Sequence, residues 1–207
     1  MTTPIDHTTV DAAFPVRGGR LPLDHGFTLF SALSRVLPAI HENASWGIHP
    51  VFGQRVGHDA LELLPNSRIK VRLPLAQISA VLPLSKATIE VAGSTLALGF
   101  LQVLPLTPAA HLRARLVTIR GFQEEEGFLA AVRRQIEGLE GLGQDPATID
   151  VELGRRRIFQ VHGRKVVGFA VGLTGLEIDA SLTIQRVGLG GRRHMGAGLF
   201  MPPGRRG

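Results

Sequence analysis

The chain has no cysteine, no tyrosine and a single tryptophan, Trp46. Without cysteine there are no disulfides, no thiolate metal sites and no thiol nucleophile. With aromatic content at 5%, stacking on nucleobases falls to Phe, His, Arg or Trp46 rather than to tyrosine platforms. Acidic residues are in the minority. Seventeen Asp and Glu stand against 23 Lys and Arg, a net charge of +6, and most of the bases are arginine. Guanidinium forks match phosphates and base edges better than ammonium groups do. An acidic partner follows, nucleic acid first among the choices; the plainer reading of the same charge is a modestly basic surface. Long apolar runs are lacking too. The longest, Leu96 to Leu106, is interrupted by Gln102 and Pro105 and is too short to span a bilayer. Met1 to Asp6 shows neither the basic nor the apolar region of a signal peptide. The expectation is a cytoplasmic protein without a membrane partner.

What is present is a core. Apolar residues make up 44% of 207, enough for one large domain or two small ones. Val10 to Val16 reads as a first strand. Leu29, Leu33, Leu37 and Ile40 recur at helical spacing behind Asp24, a candidate N-cap, and Pro38 marks the helix end. Trp46–Phe52 and Ala60–Leu64 read as a strand pair. Arg68 to Leu73 alternates basic and apolar residues, as in a strand with one basic face. Leu75–Leu82 has helical spacing, and Ala87–Leu104 is strand-like with a turn at Gly93–Ser94. Past Pro108 the order begins again. A strand at Leu112–Ile119 precedes a helix at Glu124–Leu139. A hairpin at Ile149–Val161 and Val166–Leu173 turns through His162–Gly163–Arg164–Lys165. A short helix at Leu176–Val187 and a last strand at Gly196–Met201 follow. The fold class is therefore α+β, with two tandem ferredoxin-like (βαββαβ) domains over residues 1–108 and 109–207.

Two features carry candidate chemistry. The first is the glycine-rich, basic segment from Gly188 to Gly198, holding Gly188, Gly190, Gly191, Arg192, Arg193, His194 and Gly196. Glycine tolerates positive φ and lets backbone amides approach a phosphate, and the arginines add charge-assisted contacts. The segment is neither a P-loop nor a dinucleotide fingerprint, since neither Gly-x-x-x-x-Gly-Lys-Ser/Thr nor the strand–turn–helix context is present. RNA binding is the expectation, with Arg17, Arg113, Arg115 and Lys165 as further contacts to the backbone; the bland alternative is a flexible turn bearing surface arginines. The second feature is the histidines. None of the eight has a tight metal-ligand spacing, so no metal and no cofactor is expected. His41 follows the first helix, and an imidazole can move a proton to or from a ribose oxygen. A lone histidine is more often structural or simply exposed.

The order of elements, the loop Gly188–Gly198 and the segment Leu21–Pro22–Leu23–Asp24–His25–Gly26–Phe27 leading to Ile40–His41–Glu42 resemble the CRISPR-associated endoribonucleases that process precursor CRISPR RNA, within the repeat-associated RNA-binding superfamily. Phe14–Pro15–Val16, Gly47–Ile48–His49–Pro50 and Gly190–Gly191–Arg192–Arg193–His194–Met195–Gly196 look most like the myxobacterial-type subgroup. The resemblance implies metal-independent cleavage of CRISPR repeat RNA by 2′-OH attack, giving a 2′,3′-cyclic phosphate and a 5′-OH. It also implies guide RNA as product and partner, and other subunits of an interference complex as further partners. His41 matches the family's catalytic histidine. Some members add Tyr and Lys; here there is no Tyr, and no Lys precedes Lys70. His49, Ser34 or an arginine such as Arg35 then stand as substitutes. The other implied role is a non-catalytic subunit that holds the 3′ handle of a guide RNA.

Overall fold

A computed structural model describes residues 9–161 and 164–204. The turn at His162–Gly163 and the last residues of the tail lie outside the described residues. The chain divides into two compact units. One comprises residues 1–105 together with His194–Gly196, the other residues 106–193 and 197–207.

The first unit begins with β1 (Thr9–Gly18) and β2 (Leu21–Pro22), followed by α1 (Gly26–Val36) and the single turn α2 (Ala39–Glu42). Then come β3 (Gly47–Ile48), β4 (Gln54–Val56), β5 (Ala60–Glu62) and β6 (Arg68–Pro74). A 3₁₀ segment, Leu75–Leu84, leads to β7 (Thr88–Val91), β8 (Ser94–Leu98) and β9 (Gln102–Pro105). β1 is central. It pairs antiparallel with β6 on one side and with β9 and β8 on the other, and β3 pairs with β6. Alternation along β6 buries Ile69, Val71 and Leu73 beneath α1, which contributes Leu29, Ala32 and Leu33 at the spacing of one helical face.

Four expectations change in this unit. Asp24 does not cap α1: the cap position is His25, whose Nδ1 lies 2.7 Å from the Pro22 carbonyl and whose Nε2 accepts the Val51 N–H at 2.9 Å. The two contacts fix the tautomer, with the proton on Nδ1. The pair Trp46–Phe52 with Ala60–Leu64 does not form. Gly47–Ile48 joins β6, and β5 pairs with β4 and β2 instead. The segment after Pro74 is 3₁₀ rather than α-helical and contains Pro83, which cannot donate to an α-helical ladder. β6 also lacks an open basic face, because Arg72 is 1% exposed. It is held by two bonds to Asp11 on β1, Nε to Oδ1 at 2.7 Å and a terminal nitrogen to Oδ2 at 3.1 Å.

The second unit contains β10 (His111–Val117), α3 (Glu125–Glu137), β11 (Asp150–Val161), β12 (Arg164–Thr174) and α4 (Ile178–Val187). Its sheet runs β10-β12-β11, all antiparallel. Leu112, Ala114, Phe169, Val171 and Leu173 face Phe128, Val132 and Ile136 of α3 and Ala180 and Ile184 of α4. The expected last strand, Gly196–Met201, shrinks to an isolated bridge between Met201 and Arg113. Residues 196–200 are instead packed as buried irregular chain. Among the described residues no helix is long and apolar enough to cross a membrane.

Candidate functional site

Pro38 ends α1 and starts α2, which buries Ile40 and leaves His41 exposed one position later. His41 lies edge-on to the ring of Phe30 on α1, with centroids 5.0 Å apart and planes at 67°. His194, at the tip of the glycine-rich loop and within the first unit, stacks on the same ring at 5.5 Å and 10°. Its Nε2 is 2.9 Å from the Asn43 carbonyl oxygen. A carbonyl only accepts, so Nε2 carries the proton, and in the neutral ring Nδ1 is the atom able to take another. Asn43 is fixed in turn by its own side chain, which donates to the Ala39 carbonyl at 2.7 Å. Two imidazoles thus share one phenyl ring, each from a different turn. His194, expected among the RNA contacts, thus sits beside His41, and nothing in the spacing of residues 30, 43 and 194 ties them together in the sequence.

The substitutes proposed for the missing Tyr and Lys fare differently. His49 is corrected. It is 1% exposed, and its Nε2 is 3.2 Å from Asp11 Oδ1, beside Arg72. Burial depresses its pKa, and the charges of Arg72 and Lys70 add to this against the pull of Asp11. A buried, neutral ring bound to a structural carboxylate does not reach an RNA backbone. Burial alone would raise the Asp11 carboxyl, yet His49 and Arg72 beside it hold it well below the usual carboxylate range. Ser34 is half-buried and its hydroxyl donates to the Phe30 carbonyl one turn earlier at 2.8 Å, the ordinary helical use of a serine. Arg35 is exposed on α1.

The glycine-rich loop is built differently from an amide cradle. Gly188, Gly190, Gly196 and Gly198 all have φ between +70° and +81°. At Gly188 an added Cβ would sit 2.3 Å from the Gly198 carbonyl oxygen, and at Gly198 2.3 Å from that of Leu189. These glycines are present because two chain segments touch there. Four of the loop's glycine amides are already spent: Gly188 donates to Ile184, Gly190 to the Gln135 side chain at 2.7 Å, Gly191 to Thr118 at 2.9 Å and Gly198 to Leu116 at 2.8 Å. The expectation that Gly188, Gly190 and Gly191 offer amides to a phosphate is therefore corrected. Arg193 is corrected as well. Its guanidinium donates to the Val187 and Arg186 carbonyls, closing the C-terminal end of α4. Arg192 alone of the two arginines is exposed, and it adopts φ +64°, which a non-glycine residue takes only when its surroundings impose it.

The remaining basic residues are spread over both units. Arg17 is exposed at the end of β1 in the first unit. In the second, Arg113 is exposed and Arg115 half-buried on β10, and Lys165 is exposed on β12. Burial, then the charges of Arg155 and Arg113, push the Arg157 guanidinium below its ordinary pKa, so β10 and β11 crowd like charges on one sheet. Arg155 and Arg157 lie outside the expected RNA contacts, although the run Arg155–Arg156–Arg157 inside a strand is their visible sign in the sequence. Among the described residues no group of three or more His, Asp or Glu side chains is placed to hold a metal ion.

The chain superposes with a TM-score of 0.69 on a Cas6-related protein from Pyrococcus furiosus, at 12% identity, covering 95% of this chain and 100% of that one. It matches a structure described as an RAMP protein binding different RNA substrates at a TM-score of 0.68 and 13% identity, over 94% of this chain and 99% of that one. Those likenesses define the fold. The sequence is more specific: residues 10–205 match the family described as Cas6 Crispr. The chain is also 48% identical over 198 residues to the CRISPR-associated endonuclease Cas6 of Myxococcus xanthus (strain DK1622), spanning 95% of this chain and 82% of that protein. The chain belongs to the Cas6 family of CRISPR-associated endoribonucleases.

Proposed function

We propose that this protein cuts precursor CRISPR RNA within its repeats, without a metal ion, and releases guide RNA. The observation that carries the reading is the pairing of His41 and His194 on the ring of Phe30 in a member of the Cas6 family. In-line cleavage needs a proton acceptor at the ribose 2′-OH and a donor at the departing 5′-oxygen. Two imidazoles held on one ring supply both roles. The 2′-oxygen attacks the adjacent phosphorus, the bond to the 5′-oxygen breaks, and that oxygen takes up a proton. The products are a 2′,3′-cyclic phosphate and a 5′-OH. Cationic side chains stabilise the charge on the phosphoryl oxygens.

In this reading the chain carries tandem ferredoxin-like domains, residues 1–108 and 109–207, which follow the two compact units except that residues 106–108 belong to the second unit and His194–Gly196 to the first. The strand order β3-β6-β1-β9 in the first and β11-β12-β10 with Met201 beside β10 in the second supports it. The first domain carries His41. The second carries Arg192, Arg113, Arg115 and Lys165 as RNA contacts, with Arg17 added from the first. The setting is the cytoplasm, and other subunits of an interference complex are further partners.

The test is incubation of end-labelled repeat RNA with the wild type and with His41→Ala in EDTA. Cleavage by the wild type, with a loss of about 10²–10⁴-fold in the variant, supports the reading. Equal cleavage by both removes His41 from the chemistry. A second reading, a non-catalytic subunit holding the 3′ handle, draws on the absence of Tyr and of any Lys before Lys70. It predicts salt-sensitive binding with no turnover.

A further inference from the structure

Within the second unit a cavity of about 610 Å³ opens beside the glycine-rich loop. Arg120, Lys165 and Arg192 stand around it, and among the described residues no carboxylate lines it. All three cations are exposed, and among the described residues none is in an ion pair. Its apolar side is half-buried and comes from Ile119 and Val167; Val166, the preceding residue of β12, borders the cavity through its backbone, since successive strand side chains point to opposite faces. Gln135 and Gln123 bring carboxamides to it.

The cavity is built rather than incidental. The Gln135 Oε1 accepts the Gly190 N–H at 2.7 Å, which fixes the carboxamide and leaves Nε2 as its donor end. Among the described residues that Nε2 has no hydrogen-bond acceptor. The Thr118 carbonyl accepts from Gly191, and the Thr118 hydroxyl donates to the Gly191 carbonyl at 3.2 Å, so the residue just past β10 holds the loop through both of its oxygens. This clamp places Arg192 at the rim with φ +64°. Strain of that kind, held in place by surrounding bonds, is concentrated at functional positions.

Three cations around the cavity suit a phosphate, the apolar side chains of Ile119 and Val167 suit a base, and a fixed amide suits the polar edge of that base. The volume is within the range of small-ligand sites, roughly 300–1,000 Å³. We propose that this cavity receives one unpaired nucleotide of the bound RNA, with its phosphate against Arg120, Lys165 and Arg192 and its base along Ile119 and Val167 under the Gln135 amide. The inference rests on the RNA-binding reading above and goes beyond it. It makes the second unit a reader of an extruded or single-stranded nucleotide, not merely a charged surface. Proteins read RNA sequence mainly at such unstacked bases.

The experiment compares the wild type with Gly191→Trp and Gln123→Met, using a fluorescein-labelled single-stranded 12-nucleotide RNA of mixed sequence and a blunt RNA duplex of the same length. Gly191 is exposed and an added Cβ there meets no atom within 4 Å, so a tryptophan fills the cavity mouth without straining the backbone. In the wild type the single strand binds and, with 4-thiouridine in place of uridine, crosslinks under ultraviolet light to peptides containing Ile119 or Val167. Gly191→Trp lowers single-strand affinity about tenfold and abolishes those crosslinks while leaving duplex affinity within twofold. Gln123→Met lowers single-strand affinity by a smaller factor. Single-strand affinity and crosslinks unchanged in Gly191→Trp overturn the cavity proposal and leave RNA binding standing. No binding of either RNA by the wild type overturns both.

Discussion

The ring of His194 lies on the ring of Phe30, 5.5 Å between centroids and 10° from parallel, although 164 positions separate them in the chain (194 − 30). Phe30 therefore orients two imidazoles at once, since His41 meets its edge. Phe30→Ala is expected to lower the rate of RNA cleavage by tenfold or more with affinity changed less than threefold. Phe30→Leu, which keeps bulk but not the flat ring, is expected to recover only part of the rate. Single-turnover kinetics and a binding titration on the same RNA separate the two effects. Equal losses of rate and affinity would assign Phe30 to binding instead.

The buried Asp11–Arg72 pair gives a stability prediction. Arg72 is fully buried, and Asp11 accepts from it with both oxygens. Removing one partner leaves the other charged and uncompensated, at a cost of about 3–5 kcal/mol. Asp11→Ala and Arg72→Met should each lower the urea midpoint accordingly, whereas the double variant should be less damaged than the sum of the two.

The same cluster sets a pH dependence. His49 has a lowered pKa in the folded chain. As the pH falls below about 6.5 the unfolded chain takes up this proton first, and stability declines. Asp11, whose folded pKa is also lowered, contributes stability that is complete above about 4 and lost as the pH falls further. Urea denaturation from pH 8 to pH 5 should show declining stability that His49→Phe removes. A flat profile in the wild type would contradict the burial of a neutral ring.

The loop's arginines should separate cleanly. Arg193→Ala loses two bonds to the end of α4 and is expected to cost about 1 kcal/mol of stability. Arg192→Ala should leave stability unchanged and weaken RNA binding, reducing the slope of log affinity against log salt by about 1. Gly188→Ala, at φ +71° and against the Gly198 carbonyl, should destabilise by about 1–3 kcal/mol. Gly191→Ala should not. Thermal melts alongside anisotropy titrations check all four.

Local periodicity made much of the fold legible. Leu29 and Leu33 marked α1, Phe128, Val132 and Ile136 lie on one face of α3, and the alternation Leu112–Arg113–Ala114 marked β10 with its charged and buried faces. It misled where a long-range partner decides the outcome. Arg72 alternates like a surface residue but is buried because Asp11, 61 positions earlier, neutralises it. The glycines of the loop were visible as a cluster, but not their reason. They face the carbonyls of Gly198, Leu189 and Thr118 rather than a ligand. The position of His41 just past a proline-terminated helix was legible, while its role rests on the family resemblance. Its neighbour His194 was not, because only the tertiary fold brings residue 194 to Phe30 and Asn43.

The central claim is that His41 transfers a proton in cleavage at a ribose 2′-OH. It is tested most directly by single-turnover cleavage of end-labelled repeat RNA in EDTA, with wild type, His41→Ala, and a substrate carrying 2′-deoxyribose at the scissile position. The expected result is wild-type cleavage to a 2′,3′-cyclic phosphate, a loss of about 10²–10⁴-fold in His41→Ala, and no cleavage of the deoxy substrate despite unchanged binding. Cleavage of the deoxy substrate, or equal rates for wild type and His41→Ala, would contradict it.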